Sequence, residues 1–372
     1  MQQAAPFSPH SPPQAQAGVQ AHSEVRRVLL PRELDEVSPI SEDNQLVRLH
    51  GLSMGTTWSV QLYLEPTQFN IADRVAQLNS GIQSQLDLVV AQMSPWEENS
   101  DLMRFNRAPA GTWHQLPAEF REVLDHALFL AAQTQGAYDP SIEHLANLWG
   151  FGPAGKVADR PSSDAITQAR RRTDWQRIQR DTSNDSYFQA GGIHLDLCST
   201  AKGYGVDLVS RYLRQQGIKS FLIEVGGELR AWGIKPDLQP WWVEIENPPG
   251  FSSPNDVVAL HGLSIASSGD YLRFFEVDGK QYSHTIDPRT GWPVQHGLCS
   301  VTVLHPECMI ADALATAISV LGPDEGMSYA KTLNVAARLV VREQADDGNV
   351  SFRESLTPAY CRMLVDEENE NE

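Results

Sequence analysis

The stretch HTIDPRTG, His284 to Gly291, holds an imidazole, a carboxylate, a proline-set turn and a guanidinium. Read alone, His284 is either a histidine satisfied within a strand or the lip of a site where an anion is bound and attacked. In ADALATAISVLGP, Asp312 and Thr316 stand four apart, so a helix would present their oxygens on one face, a turn apart. A carboxylate and a hydroxyl are hard donors suited to Mg²⁺, whose other positions go to water and ligand phosphates. The same pair also occurs on ordinary solvated helix faces. In HLDLCSTAKGYGVD, a short strand ending at Leu197 leads through small residues to Lys202, where a helix is expected to begin with unpaired N–H groups. Such a junction can hold a phosphate, or it is a tight connection with a surface lysine. Neither GxxxxGK[ST] nor GxGxxG is present.

Other candidates are weaker alone. Trp96, just past a long helix, either caps the core or stacks on a planar heterocycle. Gly226-Gly227 reads as a bulge or a place where a ligand nears the backbone. Tyr138, Asp139, Trp149 and Phe151 are expected mostly in the core, and Asp270 reads as an Asx-turn residue.

The elements that must position these groups are legible in the periodicity. LSMGTTWSVQLYL alternates like a strand, and Ile71, Val75, Leu78, Ile82, Leu86, Val89 and Met93 form one stripe of a helix ended by Ser94-Pro95. A second helix is expected from about Pro117 to Gln135, and a third from Lys202 to Gly217. Between Ser220 and Leu304 the chain reads as strands and turns, including VVALHGLSIA. RFFEVDGKQYSHTI reads as a hairpin turning at Asp278-Gly279, with Val277 facing Lys280, Phe275 facing Tyr282 and Arg273 facing His284. Helices at 307–321 and 324–333 precede the strand AARLVV. Clustered strands flanked by helices, without βαβ alternation, indicate an α+β fold.

Composition narrows the partners. Of 372 residues, 47 are acidic and 29 basic, and the net charge of -18 would repel a nucleic-acid backbone, so no nucleic-acid partner is expected. A phosphate ligand must then be held locally by cations, backbone N–H groups or a metal. Cys198, Cys299, Cys308 and Cys361 show no metal or disulfide spacing and read as buried free thiols. No run reaches transmembrane length and no signal-peptide pattern is visible, so a soluble protein of unassigned compartment is expected. Residues 1–45 read as a disordered or loosely docked extension, 46–365 as one domain and 366–372 as a solvated acidic tail.

Taken in chain order, Met54-Gly55-Thr56, Met93-Ser94, Tyr138-Asp139-Pro140, Leu148-Trp149-Gly150-Phe151-Gly152, Asp196-Leu197 with Ala201-Lys202-Gly203-Tyr204, Gly226-Gly227, Ser268-Gly269-Asp270-Tyr271, His284 with Asp287-Pro288-Arg289-Thr290-Gly291, and Ala311 to Thr316 resemble the ApbE family of FAD:protein FMN transferases. The resemblance covers residues 51–342. It implies a T-fold-like flavin transferase, mostly antiparallel sheet with flanking helices, holding FAD between subdomains with Mg²⁺ at the diphosphate. The implied reaction moves FMN from FAD to a threonine or serine hydroxyl of an acceptor protein and releases AMP. Carried over by position, Asp312 and Thr316 are metal ligands, joined by the main-chain carbonyl of Ser199. Lys202 faces phosphate, Trp96 stands against the flavin ring, and Met54, Ala137, Tyr138, Asp139 and Ile286 match FAD contacts. His284 then accepts or orients the acceptor hydroxyl's proton.

Two positions depart from the family's habit: Cys198-Ser199 follows Asp196-Leu197 where Gly-Gly or Gly-Ala is usual, and Glu224 replaces a common asparagine. Many members are periplasmic lipoproteins, yet no lipobox cysteine is visible here. Two rival readings keep the site: an FAD pyrophosphatase yielding FMN and AMP, and an FAD-binding or trafficking protein without turnover.

Overall fold

The computed structural model describes residues 26–31, 38–66, 70–270, 274–277, 280–344 and 349–365. Eight antiparallel strands lie side by side in their order along the chain. They are β1 (Gln45–Ser53), β2 (Thr56–Leu64), β3 (Phe221–Val225), β4 (Glu228–Trp232), β5 (Leu263–Gly269), β6 (Leu298–His305), β7 (Ala336–Gln344) and β8 (Val350–Leu356). Most other elements are inserted between neighbours of this meander; the strand Arg26–Leu29 precedes it and the short helix Pro358–Cys361 follows it. The helices α1 (Ile71–Met93), α2 (Ala118–Gln133) and α3 (Cys198–Gln215) fall between β2 and β3, and α4 (Cys308–Thr332) falls between β6 and β7. The expected α+β class with a mostly antiparallel sheet holds.

Burial follows the sequence periodicity. Trp58, Val60, Leu62 and Leu64 on β2 are buried at every second position, and Leu78, Ile82, Leu86, Val89 and Met93 on α1 meet them or the adjoining core at three- and four-residue steps. Ser94 is extended (ψ 126°) because Pro95 disfavours the helical conformation in the residue before it. On the other face of the sheet, Ala231, Ile265, Leu304 and Ala336 pack against a three-stranded sheet formed by Arg26–Leu29, Asn255–Leu260 and Trp241–Ile245.

Several boundaries differ from expectation. LSMGTTWSVQLYL is a hairpin, broken at Met54 and Gly55 with φ 50° and 71°. VVALHGLSIA likewise divides at His261-Gly262, and its halves belong to different sheets. Gly226-Gly227 turns the β3–β4 hairpin. Helix α3 begins at Cys198, a turn before Lys202, because Asp196 Oδ1 accepts the Cys198 N–H at 2.8 Å. β8, polar and at the sheet edge, gave no apolar alternation to find.

The hairpin register matches at Phe275↔Tyr282 and Val277↔Lys280, while Arg273 and the Asp278-Gly279 turn lie outside the described residues. Within the stretch read as an extension, Arg26–Leu29 is a strand, and Arg27 bridges Asp256 and Glu354. Residues 1–25 and 366–372 also lie outside the described set. Of the cysteines, Cys299 and Cys308 are buried, Cys198 is half-buried and Cys361 is exposed. No helix among the described residues is long and apolar enough to cross a membrane.

The contact between α3 and α4 places the chemistry. Glu307, which precedes α4, makes no side-chain cap; instead Asp207 of α3 accepts the N–H groups of Cys308 at 3.1 Å and Met309 at 2.9 Å and pairs with Arg230. Gly203 lets the helices touch at backbone distance: a Cβ there would lie 2.4 Å from the Cys308 carbonyl oxygen.

Removing one member of a buried ion pair costs about 3–5 kcal/mol. Asp207→Ala is therefore expected to lose about 3 kcal/mol or more in urea unfolding. A loss below about 1 kcal/mol, the worth of an ordinary cap, would mean that apolar packing alone seats α4. For Gly203→Ala, a gain of about 1 kcal/mol in helix propensity competes with about 1–3 kcal/mol for overpacking. The clash is with rigid backbone, so a net loss is expected, and a more stable variant would contradict the close crossing.

Candidate active site

The crossing of α3 and α4 buries a carboxylate beside an ammonium. Asp312 is 5% exposed, and its Oδ2 accepts the Gly203 N–H at 3.0 Å. Lys202 pairs with Glu228, which sits buried at the start of β4 just past the Gly226-Gly227 turn. Burial raises the Asp312 pKa, against the opposing pull of Lys202 and the Gly203 N–H. Burial and then the Asp312 charge raise that of Glu228, against Lys202. Burial works against the Lys202 ammonium, but Asp312 and Glu228 outweigh it and hold its pKa above the usual lysine value. Lys202 is thus charged, with two acids for one cation.

Around this cluster the first turn of α3 is tied down by Tyr138. Its buried hydroxyl accepts from Ser199 Oγ at 3.0 Å and also bonds to the Thr200 hydroxyl. The N–H groups expected to stay open at this helix start are mostly taken: Cys198 donates to Asp196, and Thr200 and Ala201 donate to the Leu197 carbonyl. Anion binding here therefore rests on Lys202 and on any bound cation. Thr316 lies one turn beyond Asp312, with its hydroxyl 3.4 Å from that of Ser268 on β5. Met54, held at positive φ in the β1–β2 turn, packs over α3: its methyl would lie 2.7 Å from a Cβ at Gly205. A non-glycine residue in that region costs about 1–2 kcal/mol, so the fold holds this side chain in place against a local preference.

The hard oxygen donors fit Mg²⁺. Asp312 and Thr316 supply a carboxylate and a hydroxyl on one helix face, beside the buried Glu228, whose pKa burial and the Asp312 charge raise. Glu228 Oε2 is buried with no hydrogen-bond partner, an orphan that an additional cation or an ordered water would satisfy. The Ser199 carbonyl is also well suited. In a regular helix it would accept the Gly203 N–H, but that single proton is aimed at Asp312, which weakens its hold on Ser199.

His284 belongs to another packing unit. It follows the strand Lys280–Ser283, is half-buried, and meets Phe151 edge-on with ring centroids 6.3 Å apart. Ile286 is buried nearby with Leu145, Trp149, Ile166 and Tyr282. The adjoining DPRTG turn closes on itself: Asp287 accepts from the Arg289 backbone at 2.9 Å and from its guanidinium at 2.9 Å and 3.0 Å. Arg289 is thereby neutralised in place, while Trp149 Nε1 donates to the Gly291 carbonyl at 2.9 Å.

Ala137 is buried, and so is Asp139, whose carboxylate accepts from the Ser141 N–H and hydroxyl and from the Trp175 N–H. Burial lifts the Asp139 pKa to about 6 in spite of those bonds. Trp96 is 55% exposed just past α1, so an indole face is available at the surface. Asp270, read as an Asx-turn residue, instead pairs with Arg342 on β7 at 2.9 Å. The structure thus gathers Ser199, Lys202, Asp312, Thr316 and Tyr138. His284 with Ile286, and Trp96, stand in separate units.

Glu228 was missed from sequence. Its signal was present: an acidic residue opening a strand straight after a glycine turn, where an apolar residue would be expected to enter the core.

Known proteins resemble this chain over most of its length. The model of the ApbE family matches residues 54–339. The FAD:protein FMN transferase of Haemophilus influenzae is 35% identical over 316 residues, 83% of this chain and 90% of the relative. That of Vibrio cholerae is 36% identical over 319 residues, 86% of this chain and 92% of its own. Among solved structures, the apo form of Pseudomonas stutzeri flavinyl transferase ApbE superposes with a TM-score of 0.77 at 37% identity, covering 86% of this chain and 97% of that one. A family match over most of the chain and relatives aligned nearly end to end lead to one conclusion: this chain belongs to the ApbE family.

Proposed function

We propose that this chain is an Mg²⁺-dependent FMN transferase, which moves FMN from FAD to a threonine or serine hydroxyl of an acceptor protein and releases AMP. The observation that carries this reading is the buried Asp312 carboxylate, one turn from Thr316 and beside the charged Lys202, in a chain whose curated relatives are named FAD:protein FMN transferases. Asp312, Thr316 and the Ser199 carbonyl would hold the metal. When bound, the cation supplies Lewis-acid neutralisation of charge on the diphosphate.

Lys202 compensates the remaining phosphoryl charge, and Glu228 keeps the ammonium aimed. Tyr138 fixes the α3 turn that carries Ser199. Met54, Ala137, Asp139 and Ile286 shape the nucleotide site, Asp139 through the backbone it organises, and the exposed ring of Trp96 offers a stacking surface for the flavin. His284 takes the proton of the acceptor hydroxyl as its oxygen bonds to the FMN phosphorus. The bond from that phosphorus to the bridging oxygen breaks, and AMP leaves with the electron pair.

The test is incubation with FAD, Mg²⁺ and an acceptor protein carrying a threonine, followed by denaturing electrophoresis read by flavin fluorescence. Fluorescence retained on the acceptor band supports transfer. Free FMN without a labelled band identifies a hydrolase, and intact FAD identifies a carrier. Asp312→Ala is expected to reduce labelling to background while the chain remains folded. His284→Ala is expected to slow labelling by about 10²–10⁴-fold with FAD affinity little changed. Undiminished labelling in either variant removes the role assigned to that residue.

A further inference from the structure

A second cluster of donor atoms lies outside the residues given roles above. Glu143 and His144, at the start of the short helix Glu143–Leu148, face His194 across a parallel bridge between Ile142 and His194. One donor atom from each of the three lies within 4.8 Å of the others. The imidazoles stack with centroids 4.2 Å apart and planes at 27°, and His194 Nδ1 meets Glu143 Oε2 at 2.5 Å.

We infer that Glu143, His144 and His194 form a binding site for one Zn²⁺ ion, distinct from the Mg²⁺ site at Asp312. The donor set separates the two chemistries. Two imidazoles and a carboxylate suit zinc, whereas Mg²⁺ demands oxygen ligands in a near-octahedral array. His144 Nε2 meets the Gly192 carbonyl at 3.0 Å. Donating that ring N–H leaves Nδ1 with its lone pair open, the arrangement in which metal-bound histidines are oriented by an outer carbonyl.

Tetrahedral bonds of about 2.0–2.1 Å place neighbouring donors about 3.3 Å apart, so side-chain shifts of about 1 Å would close the cluster around an ion. Glu143 is buried while both imidazoles reach the surface, giving an entry path and room for a water as fourth ligand. The site staples two segments that already run together, with the Asp196 N–H donating to the Pro140 carbonyl at 2.8 Å. One segment leads from Tyr138-Asp139 and the other into α3.

The experiment is calorimetric titration of the full chain with ZnCl₂ in excess Mg²⁺, with metal content measured after dialysis and melting followed in parallel. One Zn²⁺ per chain and a raised melting temperature are expected in the wild type and in Asp312→Ala. His144→Ala and His194→Ala should weaken binding by at least the roughly 10- to 100-fold that loss of an outer partner costs. His144→Gln, able to keep the bond to Gly192, serves where the alanine variant does not fold and should lose zinc as well. No stoichiometric uptake by the wild type, uptake undiminished in the histidine variants, or loss of zinc in a folded Asp312→Ala would each overturn the assignment.

Discussion

The site depends on one contact, the backbone-distance crossing of α3 and α4. An unpaired carboxylate taken from water is costly, and Asp312 is tolerated because the crossing supplies Lys202 and the Gly203 N–H alongside it. That crossing in turn needs the absent Cβ of Gly203 and the Asp207 carboxylate that caps α4 from outside. The helix that bears Asp312 is thus anchored by the helix that bears Lys202. Their chemistry is set by one geometric relation rather than by two separately placed side chains.

Charge explains why this contact leads to a cation. Lys202 answers only one of the two acids beside it, and the like charge of Asp312 is among the forces raising the Glu228 pKa. Two ways of relieving the strain are open to the folded chain: a proton on one acid, or a cation. The hydroxyl of Thr316, one turn from Asp312, would favour the second, because it offers an oxygen that a proton does not need. A structural salt bridge would want the reverse, every donor matched and every oxygen satisfied, which the orphaned Glu228 Oε2 contradicts.

What could be read from the sequence was what neighbours within a turn or a strand determine. The α1 stripe, the hairpin register at Phe275 and Tyr282, and the shared face of Asp312 and Thr316 follow from periods of 3.6 and 2. Where partners are distant, local reading failed. Arg342 draws Asp270 away from its turn across 72 positions. The two strands read whole across Met54-Gly55 and His261-Gly262 show another limit. In each, two strands are joined by a two-residue turn that reverses the chain, and the apolar residues on both sides read as one run. Glu228 needed knowledge that β4 lies against α3, which only the assembled sheet provides.

The same separation bears on how the proposed reaction could be organised. Asp312 and Lys202 are fixed by helix packing against the sheet, whereas His284 belongs to the aromatic unit of Trp149, Tyr282 and Phe151. The two units are tied by the pairing of Arg289 with Glu325, beyond the break in α4 at Gly322. In the proposed reaction the phosphate-holding Lys202 and the proton-accepting His284 are thus mounted on different packing units. On that reading the acceptor hydroxyl has to meet His284 and the phosphorus together before the new bond can form.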